Sequence, residues 1–181
     1  MRSRGETRGE GGLRLRPWGK KKERMRFLVD TMLGKLAKWL RLLGYDVIYY
    51  RDLEDKELLA LAHAEGRLLL TRDEELTRSS SGRCRSLLIS SDDWREQLRE
   101  LAERGIVRLR FEPREIFTRC LECNEPLERV SRAEVEGRVA PYLLETQKEF
   151  GRCPRCDRIY WKGTHFARAL AEVQSLLDQK R

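Results

Sequence analysis

Three aspartates follow predicted strands at points where they could share one metal ion. Asp30 ends the apolar run 27–29, Asp73 follows the leucine-rich run 67–71, and Asp55 opens a predicted helix after the second predicted strand. The carboxyl ends of parallel strands meet at one edge of a sheet, where α/β proteins bind their ligands. Three carboxylates about 4 Å apart repel by roughly 4 kcal/mol per pair at an effective dielectric near 20, so such a cluster needs protons or a divalent cation.

Carboxylate oxygens suit Mg²⁺ or Mn²⁺, which retain water ligands and bind substrate phosphates. The chemistry that matches this pattern is in-line hydrolysis of a phosphodiester. One aspartate alone is more often structural, and Asp55 has the form of a helix N-cap, so the joint arrangement carries the hypothesis. The sequence does not choose a fourth ligand among the other acids near this edge, which are Asp52, Glu54, Glu74, Asp92 and Asp93.

Four cysteines form two C-x₂-C pairs, Cys120 with Cys123 and Cys153 with Cys156, separated by 29 residues. Four thiolates with this spacing favour a closed, tetrahedral Zn²⁺ site of the structural kind. An iron–sulfur cluster and a redox dithiol are the alternatives. We interpret the fifth cysteine, Cys84, as an ordinary buried or loop thiol.

The elements that position these residues alternate along the chain. The predicted strands cover 27–29, 47–50, 67–71, 87–90 and 106–109, and the predicted helices cover 32–43, 55–64 and 93–104. This alternation predicts an α/β fold with a mostly parallel sheet and helices on both faces. Beyond Pro113 the sequence becomes turn-rich and is anchored by the cysteines, and an amphipathic helix is predicted at 164–179. We therefore expect domains at 25–112 and 113–181.

Composition narrows the class of protein. Of the 181 residues, 40% are hydrophobic and 38% are charged. These fractions exclude a wholly disordered chain and an integral membrane protein. No run approaches the roughly 18 apolar residues of a membrane span, and no apolar stretch follows the basic N-terminus, so we expect no secretory signal. Five cysteines without such a signal favour a reducing compartment, which predicts a cytoplasmic protein.

The net charge of +8 is concentrated at the N-terminus, where residues 1–24 hold nine basic and three acidic side chains. This segment is rich in glycine and lacks apolar periodicity, which predicts disorder. The sequence leaves two interpretations of this segment open. Either the segment is a basic arm that contacts phosphates without sequence preference, or translation starts at Met25 and the start codon has been placed too early.

The stretch from Met25 to Leu76 carries a longer pattern. It contains FLVD-x-MLGKLA-x-WLR-x-LGYD, an acid-led second helix and RLLLTRD, and the motif YWKGTH follows the last cysteine pair. These motifs resemble the C-terminal RNase domain family that is named after the Mut-seven exonuclease, a branch of the PIN-like nucleases. The resemblance covers nearly all of residues 25–170.

The resemblance implies a PIN-like α/β domain followed by a zinc ribbon, and an endoribonuclease that cleaves RNA with Mg²⁺ or Mn²⁺. By motif, Asp30, Asp55 and Asp73 would bind the catalytic metal, and the four cysteines would bind Zn²⁺. The cations in the matching motifs are candidate phosphate contacts, namely Lys35, Arg41 and Arg72. Their alternative interpretation is a solvated helix face or a surface ion pair.

RNA is the partner that this resemblance implies, with the ribosome and tRNA as further candidates. The alternative function is a non-catalytic RNA-binding or ribosome-associated module with a vestigial acidic site. Tyr160 and Trp161 are interpreted as packing residues of the ribbon, with base stacking as the alternative.

Overall fold

The computed structural model describes residues 25–110 and 115–178. The predicted basic extension and the predicted boundary at Pro113 lie outside these residues. The first part of the fold contains β1 (Arg26–Val29), α1 (Gly34–Leu42), β2 (Asp46–Tyr49), α2 (Asp55–Glu65), β3 (Leu68–Thr71), α3 (Glu74–Ser79), β4 (Ser86–Leu88) and α4 (Trp94–Glu103). The second part contains β5 (Glu128–Val130), α5 (Arg132–Val135), α6 (Pro141–Thr146), β6 (Phe150–Arg152), β7 (Ile159–Trp161) and α7 (Thr164–Asp178).

The first four strands form one parallel sheet in the order β2-β1-β3-β4. Val29 at the end of β1 lies opposite Tyr49 in β2 and Leu70 in β3. The carboxyl ends of the strands therefore share one edge of the sheet, which we call the acid edge. The predicted α/β fold, with a parallel sheet flanked by helices, a cysteine cluster and a C-terminal helix, is confirmed.

Helices cover both faces of this sheet because its central strands are apolar on both sides. Phe27 and Val29 face a core that includes residues of α1, α4 and α7, whereas Leu28 faces a second core with α2. This division follows from the alternation of side chains along a strand. Val173 and Leu176 belong to the first core, so α7 packs against the sheet domain although it follows the cysteines in sequence.

The strand predicted at 106–109 is not formed. Gly105 has a φ of 67°, which ends α4 in the left-handed conformation that glycine tolerates. The N–H groups of Ile106 and Val107 then donate to the Leu101 carbonyl at the end of α4. These donors are used by the helix cap and not by a strand ladder, while Val107 and Leu109 still bury their side chains in the core.

Residues 115–163, which we call the cysteine module, form an antiparallel sheet in the order β5-β6-β7. Their own core contains few buried residues, with Val130, Val135 and Phe150 at its centre. A core of this size supplies little stability by itself. None of the described helices is long and apolar enough to cross a membrane.

A polar network joins the module to the amino ends of β2 and β3. Asp46 Oδ1 accepts hydrogen bonds from Arg67 Nη1 at 2.7 Å and from Asn124 Nδ2 at 2.8 Å. Asn124 Oδ1 in turn accepts from the Val47 N–H at 2.9 Å. Burial alone would raise the pKa of Asp46, but hydrogen bonds from Arg67 and Asn124 and the charges of Arg67 and Arg119 lower it.

Replacing Asp46 with Asn should lower the free energy of unfolding at neutral pH by about 1–3 kcal/mol, because Arg67 loses a charged acceptor. Since the folded-state pKa of Asp46 is lowered, its contribution is complete above the unfolded value of about 3.9 and is lost as the pH falls through the folded value. Urea unfolding of both proteins across this range measures the difference. If the two proteins differed in unfolding free energy as much below the folded-state pKa of Asp46 as they do at neutral pH, this assignment would be contradicted.

Candidate active site and metal centre

Asp30 lies at the end of β1 and is only 8% exposed. Its Oδ1 accepts hydrogen bonds from the N–H and the hydroxyl of Thr31, and its Oδ2 accepts from Thr71 Oγ1 at 2.8 Å. A buried carboxylate requires such donors, because an unpaired one would cost several kcal/mol. The side chain is therefore held in one orientation at the acid edge.

Thr71 connects Asp30 with Asp73. Its hydroxyl donates to Asp30 and accepts from the Asp73 N–H at 2.9 Å. Asp73 is exposed, and its Oδ1 caps α3 by accepting from the N–H groups of Glu75 and Leu76. The structure therefore brings Asp30 and Asp73 to neighbouring strand ends. Sequence reasoning did not assign Thr71 a role, although a hydroxyl two residues before an aspartate at a strand end is a recognisable turn signal.

Asp55 lies on the same edge, on the β2 side of Asp30, and is exposed. It is the first residue of α2, and the N-cap is Glu54, which forms a capping box with Glu57. The expected N-cap geometry at Asp55 is therefore found at the preceding residue. The carboxylate of Asp55 is not needed by the helix cap.

Within the described ranges, the four cysteines are the one group of at least three potential ligands whose atoms lie within 4.8 Å of one another. The three aspartates share an edge of the sheet but do not form such a tight group. Their roles as catalytic metal ligands remain predictions.

Two of the three candidate phosphate contacts lie at or near the acid edge. Arg72 lies between Thr71 and Asp73, and its Nε is buried without a hydrogen-bond partner. Lys35 is exposed in the first turn of α1, with its Nζ 5.6 Å from the centre of the Trp94 ring. A guanidinium is a good donor for anionic ligands, and Arg72 as a whole is half-buried although its Nε is buried.

Arg41 requires a correction. It is 4% exposed, and its guanidinium donates to the carbonyls of Val47, Leu121 and Glu122 at 2.8–3.0 Å. Val47 lies near the amino end of β2, so Arg41 is at the edge of the sheet opposite the aspartates. Its Nε and Nη1 donors are used in joining α1 to the cysteine module, and its burial disfavours the predicted phosphate contact.

Each cysteine pair forms the same hydrogen-bonded knuckle. The residue after the second cysteine has a positive φ, 67° at Asn124 and 61° at Asp157. Its N–H donates to the carbonyl of the first cysteine, at 3.0 Å to Cys120 and 2.9 Å to Cys153. Asn and Asp tolerate this conformation better than other residues with a side chain, which is a signal that the sequence contains at both positions.

The four sulfurs are arranged as ligands of one metal ion. The Sγ atoms of Cys120 and Cys156 are 3.6 Å apart, and the Tyr160 hydroxyl lies 3.1 Å from Cys120 Sγ. Burial raises the pKa of Cys120, but hydrogen bonds from Tyr160 and from backbone N–H groups lower it to about 7. Burial and the neighbouring sulfurs raise the pKa of Cys123 to about 12. Four thiolates at this distance need a cation, and a sulfur-only set fits Zn²⁺.

Comparison with known proteins gives the family. A family model described as the Mut7-C RNAse domain matches residues 25–173. The chain belongs to the Mut7-C family. This match relates the Mut7-C chain to ribonucleases and to RNA as a substrate. Searches of curated proteins and of solved structures found no match.

The purified Mut7-C chain should contain one tightly bound Zn²⁺, measured by elemental mass spectrometry. Cys153→Ser should lose the metal and unfold the cysteine module, because structural zinc supplies about 10–16 kcal/mol of apparent folding free energy to small zinc peptides. Cys84→Ser is the matched control, since Cys84 lies outside the cluster. Iron in place of zinc, or a stable module without metal, would contradict the assignment.

Replacing Arg41 with Ala should lower the free energy of unfolding of the Mut7-C chain by about 2–3 kcal/mol, because the buried Val47 carbonyl and the partly buried carbonyls of Leu121 and Glu122 lose their donor. The control is Lys38→Ala at the same junction, which removes an exposed ion pair with Glu122 and should cost less than about 1 kcal/mol. Denaturant unfolding measures both variants. If Arg41→Ala were as stable as the parent chain and its RNA binding depended less on salt, the result would instead support the predicted contact between Arg41 and a phosphate.

Proposed function

We propose that this Mut7-C chain is a metal-dependent, PIN-like endoribonuclease that hydrolyses RNA phosphodiester bonds at the acid edge. The observation that carries the proposal is the fixed pair Asp30 and Asp73, held on neighbouring strand ends through Thr71. This pair occurs in a chain whose family is that of an RNase domain. The exposed Asp55 on the same edge is proposed as the third acid.

The oxygen atoms at the acid edge fit a hard divalent cation. Mg²⁺ is usually bound by one or two carboxylates and completes its shell with waters and substrate phosphates. Asp30 and Asp73 provide such a pair, since the Oδ2 of Asp73 has no protein partner among the described contacts. All-oxygen donors suit Mg²⁺ or Mn²⁺ better than zinc, which supports two chemically separate metal sites in this chain.

Of the two acids that follow β4, Asp92 is the better candidate for an additional ligand. Asp92 and Asp93 both follow β4, but Asp93 has partners for both carboxylate oxygens. Its Oδ1 caps α4 by accepting from the N–H groups of Arg95 and Glu96, and its Oδ2 lies 3.8 Å from Arg95 Nη1, whereas the Oδ2 of Asp73 has no such partner among the described residues. Asp92 is exposed and makes no such cap. We therefore propose Asp92 in place of Asp93 as the fourth carboxylate, a choice that the sequence left open.

The side chains at this edge have separable tasks in the proposed reaction. When bound, the metal ion would acidify a water molecule and neutralise charge on the phosphate. Thr71 holds Asp30 in its orientation and fixes the turn that presents Asp73. Arg72 is half-buried beside Asp73, and its guanidinium is proposed to donate to a phosphate oxygen, while the exposed Lys35 attracts the RNA backbone.

The proposed substrate is a cellular RNA, with ribosomal RNA and tRNA as candidate partners in the cytoplasm. Zn²⁺ in the cysteine module is proposed as structural, because a closed four-sulfur site has no open position for substrate.

Cleavage of labelled RNA with Mg²⁺ or Mn²⁺ tests the proposal. Asp30→Asn and Asp73→Asn should each reduce the rate by at least about a hundredfold, because each removes a charge that holds the metal. Asn caps helices as well as Asp does, so Asp73→Asn keeps the start of α3 and changes only the charge. EDTA should abolish cleavage, and added Mn²⁺ should restore it.

The matched control is Glu128→Gln, which removes one negative charge from β5 in the cysteine module, away from the acid edge, and should cleave at the wild-type rate. Wild-type cleavage by either aspartate variant would refute the role of the acid edge. Binding of RNA without cleavage under any metal would favour the alternative of a non-catalytic RNA-binding module.

A further inference from the structure

A cavity of about 750 Å³ lies between the cysteine module and helices α1 and α7. Its lining includes Trp39 from α1, Tyr142 from α6, and Trp161 and His165 from the junction of β7 and α7. None of the three aspartates lines it, so the proposed hydrolysis does not use it. Its volume lies in the range of pockets that bind small molecules.

Aromatic rings form much of the cavity wall, and the structure holds several of them firmly. Phe117 packs edge-on against Tyr160 and lies 4.9 Å from Phe166, measured between ring centres. A Cβ atom at Gly163 would lie 3.0 Å from Trp161 Nε1, so glycine allows the indole its position. Pre-positioned rings are good stacking platforms because every nucleobase has a flat π-face.

Tyr142 is an exposed aromatic residue of the cavity. Tyr142 is 62% exposed, although it lines a wall that also contains buried apolar residues such as Leu143. An aromatic residue of this kind presents contact area to a partner at little cost in conformational entropy. Because Tyr142 contributes little to the core, replacing it should leave the fold intact.

The charge of the cavity fits a polyanion. Its lining includes Lys38 but no aspartate or glutamate, although 30 of the 181 residues are acidic. Lys162 adds a cation at the rim, with its Nζ 5.8 Å from the Phe166 ring centre. Lys38 is partly neutralised by Glu122, at 2.8 Å. A polymer that carries flat, apolar groups on a negatively charged backbone matches this combination of rings and cations.

Helix α1 connects the cavity with the acid edge. It begins at Gly34, four residues after Asp30, and ends at Leu42 in the cavity wall. Nine residues at 1.5 Å each span roughly 13 Å, a short distance for a nucleic acid strand. Lys35 and Lys38 are exposed and three residues apart, which places them on one face of this helix.

We propose that the cavity binds unpaired bases of single-stranded RNA, while the phosphates follow Lys35 and Lys38 along α1 to the acid edge. The choice of RNA rests on the proposed function. Bases within a duplex are stacked on their neighbours and cannot enter the cavity, so the substrate class is single-stranded RNA.

Binding measured without cleavage tests this inference. The full chain carrying Asp30→Asn is titrated into a fluorescently labelled, unpaired RNA oligonucleotide and into the same oligonucleotide annealed to its complement. Fluorescence anisotropy gives both dissociation constants. The comparison is repeated with Tyr142→Ala and Tyr142→Phe in the same background, and circular dichroism verifies that both variants are folded.

The single strand should bind more tightly than the duplex, and Tyr142→Ala should weaken its binding roughly five- to hundredfold, the loss expected when one stacking ring is removed. Tyr142→Phe keeps the ring and should bind within about twofold of the parent. Equal binding of Tyr142→Ala and the parent, equal binding of both RNAs, or no RNA binding at all would overturn the inference, as expected if the cavity instead receives a protein segment.

These outcomes are independent of catalysis. Because binding is measured in the Asp30→Asn background, the cavity can fail this test while wild-type cleavage still supports the nuclease. The converse result is a wild-type chain that cleaves no RNA while Tyr142→Ala still weakens single-strand binding. That pair of results would refute the nuclease and support the cavity as an RNA-binding site.

Discussion

The parallel pairing of β1 with β3 is the constraint on which the acid edge depends. It places Asp30 beside Thr71, so that a nearly buried carboxylate finds a hydroxyl donor across the strands. The same hydroxyl accepts from the Asp73 N–H and fixes the turn at the start of α3. A slip of this register would leave Asp30 buried without that donor, which would cost several kcal/mol. The apolar pattern that fixes the register therefore also fixes the relative positions of Asp30 and Asp73.

The opposite edge of the sheet is where the cysteine module attaches. There, Arg41 and Asn124 join α1 and β2 to a cysteine module whose own core is small. Zn²⁺ bound by the four sulfurs would compensate for that small core. The cluster also contacts Tyr160, whose hydroxyl lies 3.1 Å from Cys120 Sγ and whose ring lines the cavity. A closed sulfur site can thus position residues of the cavity wall, while the three aspartates lie at the other edge of the sheet.

Two positively charged residues of α1 show how burial separates similar side chains. Lys35 and Arg41 occupy one helix and belong to one sequence motif, yet Lys35 is exposed and Arg41 is 4% exposed. The acceptor at Leu121 lies 80 residues further along the chain. Charge and helical spacing depend only on residues that are close in sequence. They therefore predict an exposed side chain for both Lys35 and Arg41.

Local patterns in the sequence were sufficient for the alternation of strands and helices, the aspartates at strand ends and the two cysteine knuckles, because each depends on residues close together in the chain. They were insufficient for the cap that replaces a strand after Gly105, the link through Thr71 and the burial of Arg41. The aromatic cavity also required the tertiary structure, since its walls come from α1, α6 and α7, which only the packing of the cysteine module brings together. Contacts between distant segments, and the burial they cause, are decided by packing and not by local periodicity.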